Sequence, residues 1–341
     1  MFRPPNPAPM ARDSRHATRR PLWALVLLSP IIAEMLSGSS APLEWLNPFV
    51  PLLLVWLYGA GVLVVRETAV RWRIGWAGIL VLGVAYGIIE EGLAVKSFFD
   101  PGWMDLGSLS WYGRWFDTNW VWAVWLSIYH AVVSIAVPIF LVDWIWPETR
   151  GRAFTSKRGY IAAVGLLASA TLFLNVVLTA YRPSMWHLLG GVGAVALLVW
   201  FARHQADRLW ARLPTGRAPR PRTYAIAGFA FLGGSFLIYA GGPSLGGHPA
   251  ITFLEGGLIL LGAILLLRRT AGNPEYKGQQ YAFGAGVVGF LITLAVFLEI
   301  AGWRGMGVVG AVFAYLMVRL YRRTPKVEAG PHTVGELPAP R

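Results

Sequence analysis

Apolar stretches of about twenty residues, separated by short polar turns, recur along the whole chain. Ten can be read: Pro21 to Leu36, Pro48 to Arg66, Ile74 to Val95, Asn119 to Trp146, Tyr160 to Tyr181, Trp186 to Ala202, Tyr224 to Gly241, Ala250 to Leu267, Tyr281 to Ala301 and Met306 to Leu320. Most are long enough for an α-helix to cross a hydrocarbon core of roughly 30 Å. The apolar residues run continuously and lack the strict alternation of a membrane β-barrel. In lipid each backbone group must find its partner within the segment, which leaves helices as the spans. The pattern therefore predicts an all-α, polytopic transmembrane helix bundle of about ten spans.

Composition strengthens that reading. The chain is 55% hydrophobic and only 14% charged, with a mean hydropathy of +0.52. Soluble domains carry roughly 25% charged residues. The net charge of +13 raises the question of nucleic acid, but the basic residues sit in short turns between apolar runs. No segment forms a nucleic-acid-binding module, so no nucleic-acid partner is expected. The absence of cysteine removes disulfides, thiol catalysis and thiolate metal sites.

The basic residues also orient the chain. Of the 30 Lys and Arg residues, all but Lys96, Arg114, Arg182 and Arg304 fall in the two tails and in alternate connections. Positive charge concentrates on the cytoplasmic side, so both termini are expected to be cytoplasmic. A multi-pass protein of the inner (plasma) membrane is expected, in contact with membrane lipids. The third span then runs outward and the fourth runs back.

The remaining segments divide the chain. Residues 1–20 read as a disordered basic tail, 21–203 as an N-terminal transmembrane bundle and 204–222 as a basic cytoplasmic linker. Residues 223–321 supply the C-terminal transmembrane helices, and 322–341 a disordered tail. The stretch from Ser97 to Thr118 is too polar to span and too aromatic for a free loop. It reads as an interfacial segment forming a partial roof over the end of the third helix.

Ionisable residues inside such helices are costly, roughly 2.5–3.5 kcal/mol each on insertion scales. Glu90 and Glu91 stand side by side near the end of the third helix, where the macrodipole also disfavours negative charge. They repel each other and need a partner, for which His130, His187, Lys96, Arg182 or a water-filled cavity are candidates. Gly83, Gly87 and Glu91 recur every four residues, a small-residue stripe along which another helix can pack. Glu90 lies on the face of Tyr86. On the fourth helix Ser127, His130 and Ser134 form one polar stripe. At 1.5 Å per residue, His130 lies about 16 Å below the outer boundary. Glu34 and Asn175 belong to the same half of the membrane.

A glutamate pair followed by two histidines resembles the CPBP family of intramembrane proteases, relatives of the CAAX prenyl endopeptidases. The family's Glu-Glu-x-x-x-Arg is approximated by Glu90-Glu91 with Val95 and Lys96, its Phe-x-x-x-His by Leu126 to His130, and its His-x-x-x-Asn/Asp by His187 to Gly191. The resemblance covers about one hundred residues. It implies a membrane-embedded glutamate protease in which Glu90 or Glu91 activates water while His130 and His187 steady the oxyanion. Glu34, Lys96, Ser127, Ser134 and Asn175 are read as substrate-binding or supporting residues.

Other signals are weaker. Gly242 to Gly246 matches the G-x-S-x-G pattern, but a nucleophile elbow needs a preceding strand and a transmembrane segment stands there. Carboxylate and imidazole at Glu90, Glu91, His130 and His187 suit Zn or Fe. No H-E-x-x-H or comparable spacing is present, so no metal ligand is assigned and the cofactor stays open. The sequence thus favours a membrane-embedded hydrolase acting on a peptide, lipid-linked or small-molecule substrate. A transporter or proton-coupled carrier and a non-catalytic assembly protein are the alternatives.

Overall fold

The computed structural model describes residues 13–210, 213, 218–273 and 276–323. Among the described residues ten long helices follow one another. Helix α1 spans Asp13–Pro30 and continues through a π-helical stretch, Ile31–Leu36. Then come α2 (Phe49–Trp72), α3 (Trp76–Ala94), α4 (Trp120–Ile145), α5 (Lys157–Leu178) and α6 (Met185–His204). The second group is α7 (Pro221–Ser244), α8 (Pro249–Arg268), α9 (Lys277–Ile300) and α10 (Met306–Arg323). Eight of them, α2 to α9, are long and apolar enough to cross a membrane. Helix α1 already begins at Asp13, inside the stretch read as a tail, and residues 206–209 of the linker form a helical turn. Residues 1–12, 211, 212, 214–217 and 324–341, within the two tails and the linker, lie outside the described residues.

Helix α4 is the axis of the molecule. Of its apolar window 78% is buried, against 6% for α6. A helix apolar on every face is stable only when surrounded, and α4 serves two cores. Trp125, Tyr129, Val133, Val137 and Leu141 pack toward α1, α7, α9 and α10, while Ile135, Ile139 and Val142 pack toward α1, α2, α3 and α5. Asn119 starts the helix: its side chain accepts the Trp122 N–H at 3.0 Å and donates to Leu109 O at 2.6 Å. The C-terminal group is held by the α7–α9 crossing, where glycines bring two backbones together. A Cβ on Gly228 would lie 2.0 Å from Phe283 O, and one on Gly286 2.0 Å from Ala225 O. Only glycine permits that approach.

The segment between α3 and α4 folds down onto the bundle. It contains a helical turn (Gly107–Leu109) and a two-residue antiparallel pair, β1 (Arg114–Trp115) with β2 (Thr118–Asn119). Phe98, Phe99, Leu106 and Leu109 are buried beneath it, while Trp111, Trp115 and Phe116 are exposed. At the opposite end of the bundle, the connection between α4 and α5 is tied to α2 by a buried ionic latch. Glu67 is fully buried and accepts from Phe154 N at 2.7 Å, Thr155 Oγ1 at 2.7 Å and Arg71 Nη2 at 3.0 Å. Arg66 lies 3.3 Å from the same carboxylate, donates to Thr149 O and Arg152 O, and stacks on Phe154.

Candidate functional site

Each of the first five helices contains one π-helical stretch, inside α2 (Val55–Gly59) and α4 (His130–Ala136) and at the end of α1 (Ile31–Leu36), α3 (Ile88–Ala94) and α5 (Leu174–Leu178). One wide turn rotates the side chains that follow it, and such distortions concentrate at functional sites. Here they carry Glu34, Tyr58, Glu90 with Glu91, His130 with Ser134, and Asn175. The first four of these stretches converge on one buried cluster.

The predicted glycine stripe makes the central contact. A Cβ on Gly83 would meet Ala131 Cα at 2.7 Å, and one on Gly87 would meet Ser127 Cα at 2.8 Å and His130 Cβ at 3.2 Å. Helices α3 and α4 therefore touch backbone to backbone, with Ser127 at the contact and His130 beside the glutamates. His130 Nε2 lies 2.9 Å from Glu91 Oε1, and Nδ1 lies 2.9 Å from Ser134 Oγ and 3.2 Å from Glu90 Oε2. His130, Glu90 and Glu91 are 2%, 3% and 8% exposed, so the bridge is shielded from bulk water. The nearest atoms of the three residues that can ligate a metal lie within 4.8 Å of one another.

The surroundings hold this arrangement in place. Glu91 Oε2 accepts a hydrogen bond from Ser97 Oγ, which in turn accepts Trp122 Nε1–H at 3.0 Å. The fully buried Ser29 donates to Ser134 O at 2.6 Å. Tyr58, Tyr86 and Tyr129 box the imidazole, with ring centroids 6.0, 6.2 and 5.6 Å away. Tyr58 donates to Glu34, which draws that acid into the group. Two polar atoms are left over: Glu90 Oε2 and the Tyr86 hydroxyl are buried without an aligned hydrogen bond. Above the cluster, partial desolvation and then the charge of Glu91 hold the Asp105 carboxyl above its usual range. The covering segment thus feels the cluster's negative field.

Lys96 and Arg182 do not neutralise the glutamates. Lys96 is fully buried, but its Nζ donates to Asn175 O at 2.7 Å and Thr179 O at 3.2 Å. Arg182 donates to the carbonyls of Val176 and Tyr181 at 3.0 and 3.1 Å. Both cations serve the carbonyl end of α5, where the dipole favours positive charge. Asn175 donates to Leu93 O at 2.6 Å and ties α5 to α3, a structural clasp at the site's edge.

His187, expected to join His130, stands apart. It sits in the first turn of α6, where Nδ1 is 2.7 Å from Ser184 Oγ and Nε2 is 2.9 Å from Phe116 O. Its ring packs on Phe99 at 4.9 Å. Both nitrogens are engaged by the covering segment and the helix start, which corrects its placement beside the glutamates. Sequence reasoning missed Tyr58, Ser97 and Trp122. Tyr86 was within reach, because it precedes Glu90 by one helical turn.

No curated protein matches the chain, and neither does any solved structure. A match does exist over residues 24–329, which include all of α2 to α10 and all but the first turns of α1. The chain is a multi-pass helical membrane protein, and it belongs to the uncharacterized membrane protein family that this match defines.

Proposed function

We propose that the protein is a membrane-embedded hydrolase that cleaves an acyl bond in a peptide or lipid-linked substrate at the Glu90–His130–Glu91 cluster. By its basic asymmetry it would lie in the plasma membrane with both ends cytoplasmic and the cluster toward the outer face. The observation that carries the reading is a buried imidazole held between two adjacent carboxylates, with Lys96 and Arg182 turned to other partners. Purely structural acids in lipid pair with the nearest cation. These instead face an imidazole, and Glu90 Oε2 and the Tyr86 hydroxyl stay without an aligned hydrogen bond.

The reaction follows from the atoms present. The carboxylate pair accepts a proton from water, and the oxygen attacks the carbonyl carbon. The imidazole and the Tyr86 hydroxyl steady the oxyanion. The bond from carbon to the leaving nitrogen or oxygen then breaks, and that atom takes up the proton. Water is added across one bond, and no electrons are gained or lost. A proton-coupled carrier has less support, because Arg66, Glu67 and Arg71, at the other end of the bundle, are locked in one latch.

The test is turnover of labelled acyl-peptide and acyl-lipid substrates in proteoliposomes, with and without a pH gradient. The expected result is gradient-independent hydrolysis that falls by about 10²–10⁴-fold in Glu90→Gln while the protein stays folded. Transport without hydrolysis, or equal turnover by wild type and variant, would overturn the reading.

A further inference from the structure

We propose that Glu90, Glu91 and His130 form a binding site for a divalent first-row transition ion of the Zn²⁺ class. This deepens the hydrolase reading of the same cluster and rests on that reading for the ion's role, though not for its binding.

Three observations converge. The first is the donor set: two carboxylates and one imidazole, all buried, with one ligating atom from each within 4.8 Å of the others. Zn²⁺ holds such donors at about 2.0–2.2 Å, so they can stand at most ~4.4 Å apart around one ion. A donor pair at the full 4.8 Å would have to close by ~0.4 Å to share one ion. Mixed oxygen and nitrogen donors with no thiolate suit Zn²⁺, Mn²⁺ or Fe²⁺.

The second is Glu90 Oε2. It belongs to a side chain that is 3% exposed, it points toward the imidazole at 3.2 Å, and no hydrogen-bond donor is aligned on it. A buried carboxylate oxygen left without a donor costs free energy unless a positive partner faces it. An ion on the Nε2 side would supply that partner once the Glu90 carboxylate turns toward it from its place beside Nδ1.

The third is the ring of supporting contacts. With Nε2 on the ion, Nδ1–H donates to Ser134 Oγ at 2.9 Å, fixing tautomer and ring orientation. Glu91 offers Oε1 while its Oε2 is held by Ser97, itself held by Trp122. Metal-ligating histidines and carboxylates are oriented by second contacts of this kind. The Glu67 cluster at the opposite end differs: its carboxylate is saturated by two backbone N–H groups, a hydroxyl and two guanidinium groups, leaving no lone pair for an ion. Three protein ligands leave one coordination position open, the arrangement of a catalytic ion rather than a structural one. Bound there, the ion would polarise the water and face the oxyanion itself, taking over the tasks given above to the carboxylates and the imidazole, which would then serve as its ligands.

The test uses the full-length protein in detergent, stripped with EDTA and titrated with ZnCl₂ or CoCl₂. Bound metal per chain is measured after gel filtration, and the Co²⁺ ligand-field spectrum is recorded. The expected result is about one retained ion per chain with a four- or five-coordinate Co²⁺ spectrum. Retention should fall at least tenfold in Glu90→Gln and His130→Gln, and affinity by about 10–100-fold in Ser134→Ala. His187→Gln should retain the ion as wild type does. If His130→Gln does not fold, Ser134→Ala and the wild-type spectrum decide. Equal retention by wild type, Glu90→Gln and Ser134→Ala, or an octahedral aquo-like spectrum, means an adventitious ion only and overturns the proposal. A bound ion without hydrolysis defeats the hydrolase reading and leaves the site standing. Undiminished hydrolysis by metal-free protein leaves the hydrolase reading standing and overturns the ion's catalytic role.

Discussion

Glu67→Ala is expected to lower the stability of the folded protein by about 3–5 kcal/mol, the range for breaking a buried ion pair from one side. The carboxylate is fully buried and collects five donors from α2 and the α4–α5 connection. Its removal orphans the Phe154 and Thr155 N–H groups and leaves Arg66, 3% exposed, with Asp143 as its remaining negative neighbour. Arg66 keeps two carbonyls and the Phe154 ring, so the cost stays in this range and does not exceed it. Thr155→Ala removes one hydrogen bond from the same carboxylate and should cost about 1 kcal/mol. Equilibrium unfolding in mixed detergent micelles measures both. A Glu67→Ala loss no larger than the Thr155→Ala loss would mean that the latch is not closed.

His130→Leu should cost a similar amount, about 3–5 kcal/mol, although leucine is more soluble in lipid than histidine. The imidazole is the group that faces both Glu90 and Glu91, and its removal leaves two adjacent buried acids without their shared partner. It also removes the ring that three tyrosines surround. His187→Leu changes a less buried side chain bonded to one hydroxyl and one carbonyl, and should cost about 1 kcal/mol or less. Thermal unfolding of the two variants side by side separates the cases. Equal shifts would remove the distinction drawn between the two histidines.

The helices were legible because lipid allows only one solution for a long apolar run. Their ends were less so. Pro48 to Arg66 read as a complete span, whereas α2 continues to Trp72. The extension carries Glu67 and Arg71, whose partners lie more than eighty residues further on. No local pattern shows that those charges are satisfied. The meeting of Glu91 with His130 was legible because it rests on glycine spacing, which fixes both the face of α3 and the closeness of α4. Glu34 and Tyr58 were harder: hydropathy gives depth but not azimuth, and two π-helical stretches rotate these side chains away from ideal helical phase. His187 was misplaced because motif order was followed, whereas its position is set by the Ser184 helix start and the Phe116 carbonyl. Lys96 and Arg182 were read as partners for acid, but helix-end carbonyls compete for cations and lie closer.

The most direct test of the account is the double-mutant cycle between Glu91→Gln and His130→Gln, read as unfolding free energies of the two single variants, the double variant and wild type. A buried, hydrogen-bonded pair in direct contact should show a coupling of about 1.5–3 kcal/mol. Additivity within ~0.5 kcal/mol would show that carboxylate and imidazole do not meet, and the site built on their meeting would not exist.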